Sequence, residues 1–283
     1  MSDSGDPDRG ADGWFAAADD ETDAVAAVRT GGTDQPADWP RLAVESGFAA
    51  DEADYYDRLR EATMAATRAA VAEREAADDR QLVHAVRAMD DCRRTANELA
   101  ERLAEWAGSV REDAGTGVEY AIELADEEPE DPAAERLVSL ARRIRDLAEE
   151  ADDLERTVER TAPEVAPNLS SMAGPVLAAR LISLAGGLES LAKKPSGTVQ
   201  VLGAEEALFA HLRGAASSPK HGVIFTHEYV RGTAREHRGS AARALAGKLT
   251  LAARVDHYSG DRKPELEQEL DERMATIRAR DTE

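Results

Sequence analysis

The sequence predicts a mainly all-α protein: a long antiparallel coiled coil, a C-terminal helical domain and a short, reduced N-terminal segment. Three observations predict it. Alanine, leucine, glutamate and arginine dominate, while aromatic residues make up only 4% of the 283 residues, a balance that favours helices over sheets. Apolar residues recur at alternating spacings of three and four over two long stretches. Prolines and polar breaks fall between those stretches rather than inside strand-like alternation.

In chain order, residues 1–12 are acidic and polar and read as a disordered tail with no signal peptide. The rest of residues 1–50 is weakly patterned. Trp14, Phe15, Trp39 and Leu42 are its sizeable apolar groups. Such a segment holds a minimal core at best. Two readings stay open: a small anchor for a partner, or a tail with incidental tryptophans.

Residues 51–162 are strongly helical. Leu82, Val86, Met89, Cys92, Ala96, Leu99, Leu103, Trp106 and Val110 form one stripe, with a slip in heptad phase at Val86–Met89–Cys92. Polar breaks follow at 112–117 and 127–132. Leu137, Leu140, Ile144, Leu147, Ala151, Leu154 and Val158 then keep a/d spacing. Two such helices joined by a turn predict an antiparallel coiled coil whose seam (Leu137, Ile144, Leu147, Leu154, Val158) also serves dimerisation. A plain helical hairpin packed on its own domain is the competing reading.

Pro163 and Pro167 predict a boundary, because proline stops helices. Residues 163–283 then read as a globular helical domain. Its helices are expected at 176–192, 204–212, 240–255 and 265–277, with loops at 195–198 and 214–222. The apolar run at 176–191 is interrupted by Arg180, Gly186, Gly187 and Glu189, so it reads as a core helix rather than a membrane span.

The formal net charge is -22. An acidic surface with few lysines suggests a halophile, where acidity serves solubility and says little about partners. The single cysteine, Cys92, allows no intrachain disulfide, which fits an intracellular, cytoplasmic protein. Against this background the sign reverses between His211 and Arg254. That window holds Arg213, Lys220, Arg231, Arg235, Arg238, Arg243, Lys248 and Arg254, two acids, and His211, His221, His227 and His237. A basic island on an acidic chain is an electrostatic footprint for a polyanion, and nucleic acid is the commonest one. The histidine spacing matches no tight zinc motif, so no metal is expected. His221 and His227 read either as nucleic-acid donors and stacking groups or as structural histidines. Arg254 and Asp256 read as structural. No Walker or dinucleotide loop and no Ser-His-Asp context is present, so neither catalytic residues nor a cofactor is expected.

The order of residues in this half carries a resemblance. Residues 166–195 read APNLSSMAGPVLAARLISLAGGLESLAKKP, 200–213 QVLGAEEALFAHLR, 219–227 PKHGVIFTH and 238–256 RGSAARALAGKLTLAARVD; upstream, DRQLVHAVRAMDD starts at Asp79 and NELAERLAEW at Asn97. Together these resemble the Nop family, in particular its archaeal box C/D small-ribonucleoprotein scaffolds, with nucleolar and spliceosomal relatives in eukaryotes. The resemblance implies a Nop domain that grips a kink-turn RNA jointly with a kink-turn-binding ribosomal-type protein. It implies a coiled coil that self-associates, and an N-terminal domain that holds fibrillarin, the methyltransferase of guide-directed ribose 2′-O-methylation of rRNA and tRNA. The chain itself is then a scaffold and not an enzyme. The RNA contacts expected are Gln200, Gly203, Glu205, Phe209, Arg213, Lys220, His221, His227, Arg238, Arg243 and Lys248. The chain departs from the family at Glu206 and Ala210, where GAEKALFR has lysine and arginine, and in the fifty residues that precede the coiled coil. The competing functions are a kink-turn scaffold in another ribonucleoprotein and a protein-only coiled-coil adaptor.

Overall fold

The computed structural model describes residues 13–18, 21–31, 37–129 and 131–279. The tail at 1–12 lies outside them. Every regular element among the described residues is helical, and the chain divides into two compact units, 1–77 and 78–283.

The first unit contains a 3-10 turn (Trp14–Ala17), α1 (Glu21–Thr30), α2 (Trp39–Glu45) and α3 (Glu52–Glu75). Its core is aromatic. Phe15 and Tyr55 are buried with Ala43 and Ala49, and Trp14, Trp39, Leu42 and Phe48 pack on them. Phe15 stacks on Phe48 at 5.4 Å between ring centroids. Trp14 Nε1 donates to the Tyr55 hydroxyl at 3.3 Å. The sequence reading places a boundary at residue 50, yet Tyr55 belongs to this core. Tyr55 sits on the first turns of α3, so α3 groups with the N-terminal residues.

In the second unit, α4 (Asp78–Gly108) and α6 (Pro132–Val165) form an antiparallel hairpin. Between them stands α5 (Gly117–Ala125), where the sequence reading places only a turn. α5 forms because its face is apolar: Ala121, Leu124 and Ala125 are buried against Leu103, Leu137, Val138 and Ile144. Leu103, Leu124, Leu137 and Ile144 are all essentially inaccessible, and burying each is worth about 1.5–3 kcal/mol. Asp131 caps α6 by accepting from Ala133 N and Ala134 N, both at 2.8 Å. Arg93 of α4 pairs with Glu155 of α6. The seam residues are therefore used within one chain. Leu137, Ile144 and Val158 are buried, and Leu147 and Leu154 pack at the margins of the two hairpin clusters.

Proline does not end α6. Pro163 lies inside the helix, which runs on to Val165. Proline costs one ladder hydrogen bond. Here Ala162 and Ala166 are fully buried on either side, and Ala166 N still reaches Ala162 O at 2.8 Å. The packing outweighs the lost bond.

Beyond it follow α7 (Pro167–Ala173), α8 (Pro175–Ala185), α9 (Leu188–Lys193), α10 (Ser196–Val201), α11 (Glu205–Leu212), a 3-10 turn (Val223–Thr226), α12 (Glu228–Arg231), α13 (Arg238–Tyr258) and α14 (Glu265–Ala279). The single helix expected at 176–192 is two, because Gly186 and Gly187 take φ of +91° and +125°, a region glycine enters without steric cost. The loop expected at 195–198 is the start of α10, with Pro195 at its N-cap. α13 is the central helix. Ala241, Ala242, Leu245, Ala246, Leu249, Ala252 and Ala253 are all buried, and small alanines let neighbouring helices approach closely. The same core takes in Leu82, Val83, Val86 and Met89 from α4 and Val158 and Ala162 from α6. The hairpin root and the C-terminal helices thus share one interior.

Candidate nucleic-acid interface

The loop between α11 and α13 is shaped by close backbone approach. Gly222 N donates to Gln200 O at 2.9 Å and Val223 N to Leu202 O at 2.8 Å. A Cβ on Gly222 would lie 2.0 Å from Leu202 O, so only glycine fits. Gln200 Nε2 donates to Lys220 O at 2.7 Å and fastens the loop a second time. Gly203 stands at φ +81° just ahead of α11, and its N–H is capped by Glu205 Oε1 at 2.9 Å. Gln200, Gly203 and Glu205 therefore build the loop's frame.

On that frame the structure assembles a basic, aromatic cluster. The His221 ring stacks on Phe225 with centroids 4.6 Å apart and planes 19° from parallel. The Arg238 guanidinium lies over the same Phe225 ring, 5.4 Å from its centroid. Arg238 is oriented by Thr233 O at 3.0 Å and Arg231 O at 3.3 Å. The Lys220 chain passes the start of α13, since a Cβ on Gly239 would meet Lys220 Cδ at 3.7 Å. Burial, then the Arg238 charge, then the Lys220 charge hold the His221 pKa below the usual 6.5. His221 is thus a neutral, stacked ring flanked by two cations. Base faces and phosphates prefer this combination. Phe225 escaped the sequence reading. The signal for it was an aromatic residue four positions after His221 inside the basic window.

Other expected contacts lie apart from this cluster. His227 faces inward: Tyr229 N donates to its Nδ1 at 3.1 Å, and its Nε2 sits 3.0 Å from Met172 O. Nε2 therefore carries the proton and both nitrogens are engaged, the structural alternative for this residue. Lys248 is paired with Glu269 of α14. Arg254 Nε donates to Ala192 O at 3.0 Å. Arg243 is exposed on α13 and makes no ion pair among the described residues. Arg213 is exposed at the C-cap of α11, and Phe209 is 57% exposed on the same helix, which buries none of its own residues. No group of three or more His, Cys, Asp or Glu able to hold a metal occurs among the described residues. No helix there is long and apolar enough to cross a membrane.

The His227 geometry gives a pH dependence. Burial pushes its pKa below the usual 6.5, so the unfolded chain binds the proton more readily than the folded one. The stability held by neutral His227 is complete above about pH 6.5 and drains as pH falls toward the folded pKa. Urea midpoints measured from pH 7.5 to 5 are expected to decline, and His227→Gln is expected to flatten that decline. An equal decline in the variant would assign it to other groups.

A helical hairpin that shares its core with a compact helical domain, and a basic, aromatic-bearing face on that domain, define the class of molecule. The chain belongs to the Nop family: the family model described as "snoRNA binding domain, fibrillarin" matches residues 71–277. An uncharacterized NOP5 family protein of Methanocaldococcus jannaschii is 46% identical over 165 residues, 58% of this chain and 40% of the relative. Nucleolar protein 56 of Schizosaccharomyces pombe is 38% identical over 125 residues, covering 44% of this chain and 25% of the relative. The chain thus spans well under half the length of these curated relatives. Among solved structures, a chain from the crystal structure of a fibrillarin/Nop5p complex is similar with a TM-score of 0.54 and 27% identity, covering 91% of each chain.

Proposed function

We propose that this protein is a non-catalytic scaffold of a box C/D-type ribonucleoprotein. It grips kink-turn guide RNA together with a kink-turn-binding ribosomal-type protein and recruits fibrillarin for guide-directed 2′-O-methylation of rRNA or tRNA. The observation that carries this reading is the cluster of Lys220, His221, Phe225 and Arg238. It concentrates stacking and positive charge on a chain whose net charge is -22, within the region matched by a snoRNA-binding family model. The N-terminal unit is the fibrillarin platform in this reading, supported by its aromatic core and by the similarity to a chain of a fibrillarin/Nop5p complex. A gel shift with kink-turn RNA, with and without the kink-turn protein, tests the RNA grip. Fibrillarin pull-down and guide-directed methylation in a reconstituted particle test recruitment. Failure of the chain to join either complex would overturn the reading.

Self-association belongs to the same proposal. The seam residues face the chain's own helices, so a second copy is assigned to apolar groups left open near the far end of the hairpin. Trp106 is 39% exposed, Val110 56% and Ile122 38%. Replacing Trp106 and Val110 together by glutamate is expected to give monomers by light scattering at micromolar concentration without loss of helix content. A wild-type monomer under those conditions, or a dimer that survives the substitutions, would refute this assignment.

A further inference from the structure

A groove of about 700 Å³ runs beside the cluster, between α4, α8 and the loop that carries Phe225. Its size falls within the range of sites that enclose a small ligand group. Three features of its walls bear on an occupant. The floor is apolar, with Leu184 left 46% exposed. Arg180 is neutralised in an ion pair with Asp90. Arg87 is held differently: its Nε donates to Ser183 Oγ at 3.0 Å and its Nη2 to Ser183 O at 3.3 Å. Both partners are uncharged. A guanidinium fixed by neutral acceptors keeps its full charge, and its position is already set, so little rotamer entropy is lost when an anion arrives.

We propose that this groove receives one unstacked nucleotide of the same RNA strand, with Arg87 on its phosphate and its base on the apolar floor beside Leu184. The proposal rests on the RNA-binding reading of the neighbouring cluster. Continuity supports it: Phe225 lines the groove, and its ring also carries His221 and Arg238. A strand leaving that stack passes directly to the groove. An apolar surface next to a placed guanidinium suits a splayed-out base, whose face is apolar and whose backbone is anionic.

The test uses the full chain with kink-turn RNA and the kink-turn-binding protein. Affinity is measured across a salt series, and riboses are mapped by hydroxyl-radical footprinting. With Arg87→Gln, the slope of log affinity against log salt is expected to shrink by roughly 0.7, the value for one single-strand phosphate. Protection of one nucleotide next to the kink-turn should be lost while the rest of the footprint stays. Arg87→Lys is expected to restore the slope, because it keeps the charge. Leu184→Ser is expected to lose the same nucleotide's protection with the slope unchanged. If Arg87→Gln leaves slope and footprint as in the wild type, the groove proposal falls and the RNA reading stands. If Arg87→Lys behaves as Arg87→Gln, the residue acts by fastening α4 to α8, and the proposal is equally overturned. Weaker capture of the kink-turn-binding protein with an intact footprint would make the groove a protein site and also overturn it. A wild-type chain that gives no RNA complex would refute the parent reading as well.

Discussion

Alanine at both Lys220 and His221 is expected to abolish the ternary complex of this chain with kink-turn RNA and the kink-turn-binding protein. Lys220 is exposed, and Phe225 keeps Arg238 over its ring when the imidazole is removed, so the fold should survive. The two losses differ in kind. Removing a stacking partner costs about 1–3 kcal/mol per base, roughly a five- to 150-fold loss. Removing a lysine–phosphate contact matters most at low salt, because released counterions drive it. At roughly 1 M salt the Debye length is about 3 Å, so the stack should dominate at high salt. The single variants separate these terms: Lys220→Ala should flatten the salt dependence, and His221→Ala should weaken binding at every salt concentration. Gel shifts across a salt series give both numbers. Wild-type affinity in the double variant would remove this loop from the RNA interface.

Asp256→Ala is expected to destabilise the C-terminal helices by about 3–5 kcal/mol, because the buried donors it serves lose their acceptor. Asp256 is only 8% exposed. Its carboxylate accepts from Asn168 N at 3.0 Å, Asn168 Nδ2 at 2.6 Å and Leu169 N at 2.8 Å. It thus caps α7 from the far end of α13. Asn168 extends the network, donating to Asp261 O at 2.8 Å and accepting from Lys263 N at 2.6 Å. Alanine leaves buried donors without an acceptor, each costing about 1–3 kcal/mol. Urea unfolding followed by circular dichroism should show the drop, and amide exchange at Asn168 and Leu169 should quicken. An unchanged urea midpoint would mean that water replaces the carboxylate at little cost.

The long helices were legible because a sustained heptad stripe admits one local structure. The partner of that stripe was not. Leu137, Ile144 and Val158 carry the same spacing whether they meet another chain or α4 of their own, and periodicity does not distinguish the two. Pro163 misled for a related reason: its cost is local, and the burial of Ala162 and Ala166 that offsets it is tertiary. Charge order found the basic window but could not sort it. Arg238 lies over Phe225 and Lys220 beside the start of its helix, whereas Lys248 pairs with Glu269, a residue 21 positions away that no local pattern links to it. The groove beside Arg87 was illegible because its other wall is α8, about ninety positions further along the chain.

The interior shared by the hairpin root and the C-terminal helices has a mechanical consequence. α6 has 34 residues, about 51 Å at 1.5 Å per residue, and its last turns end inside the domain. The hairpin is thus a lever arm with its fulcrum embedded in packed side chains. Tilting it would open contacts among Val83, Val158 and Leu181, all fully buried, and would part Arg180 from Asp90 and Arg87 from Ser183. Both of those pairs run from α4 to α8, the helix that flanks the loop of Phe225. Whatever binds the far end of the arm is therefore held at a set reach and bearing from that loop, and torque applied there arrives at the base of the groove without a hinge to absorb it.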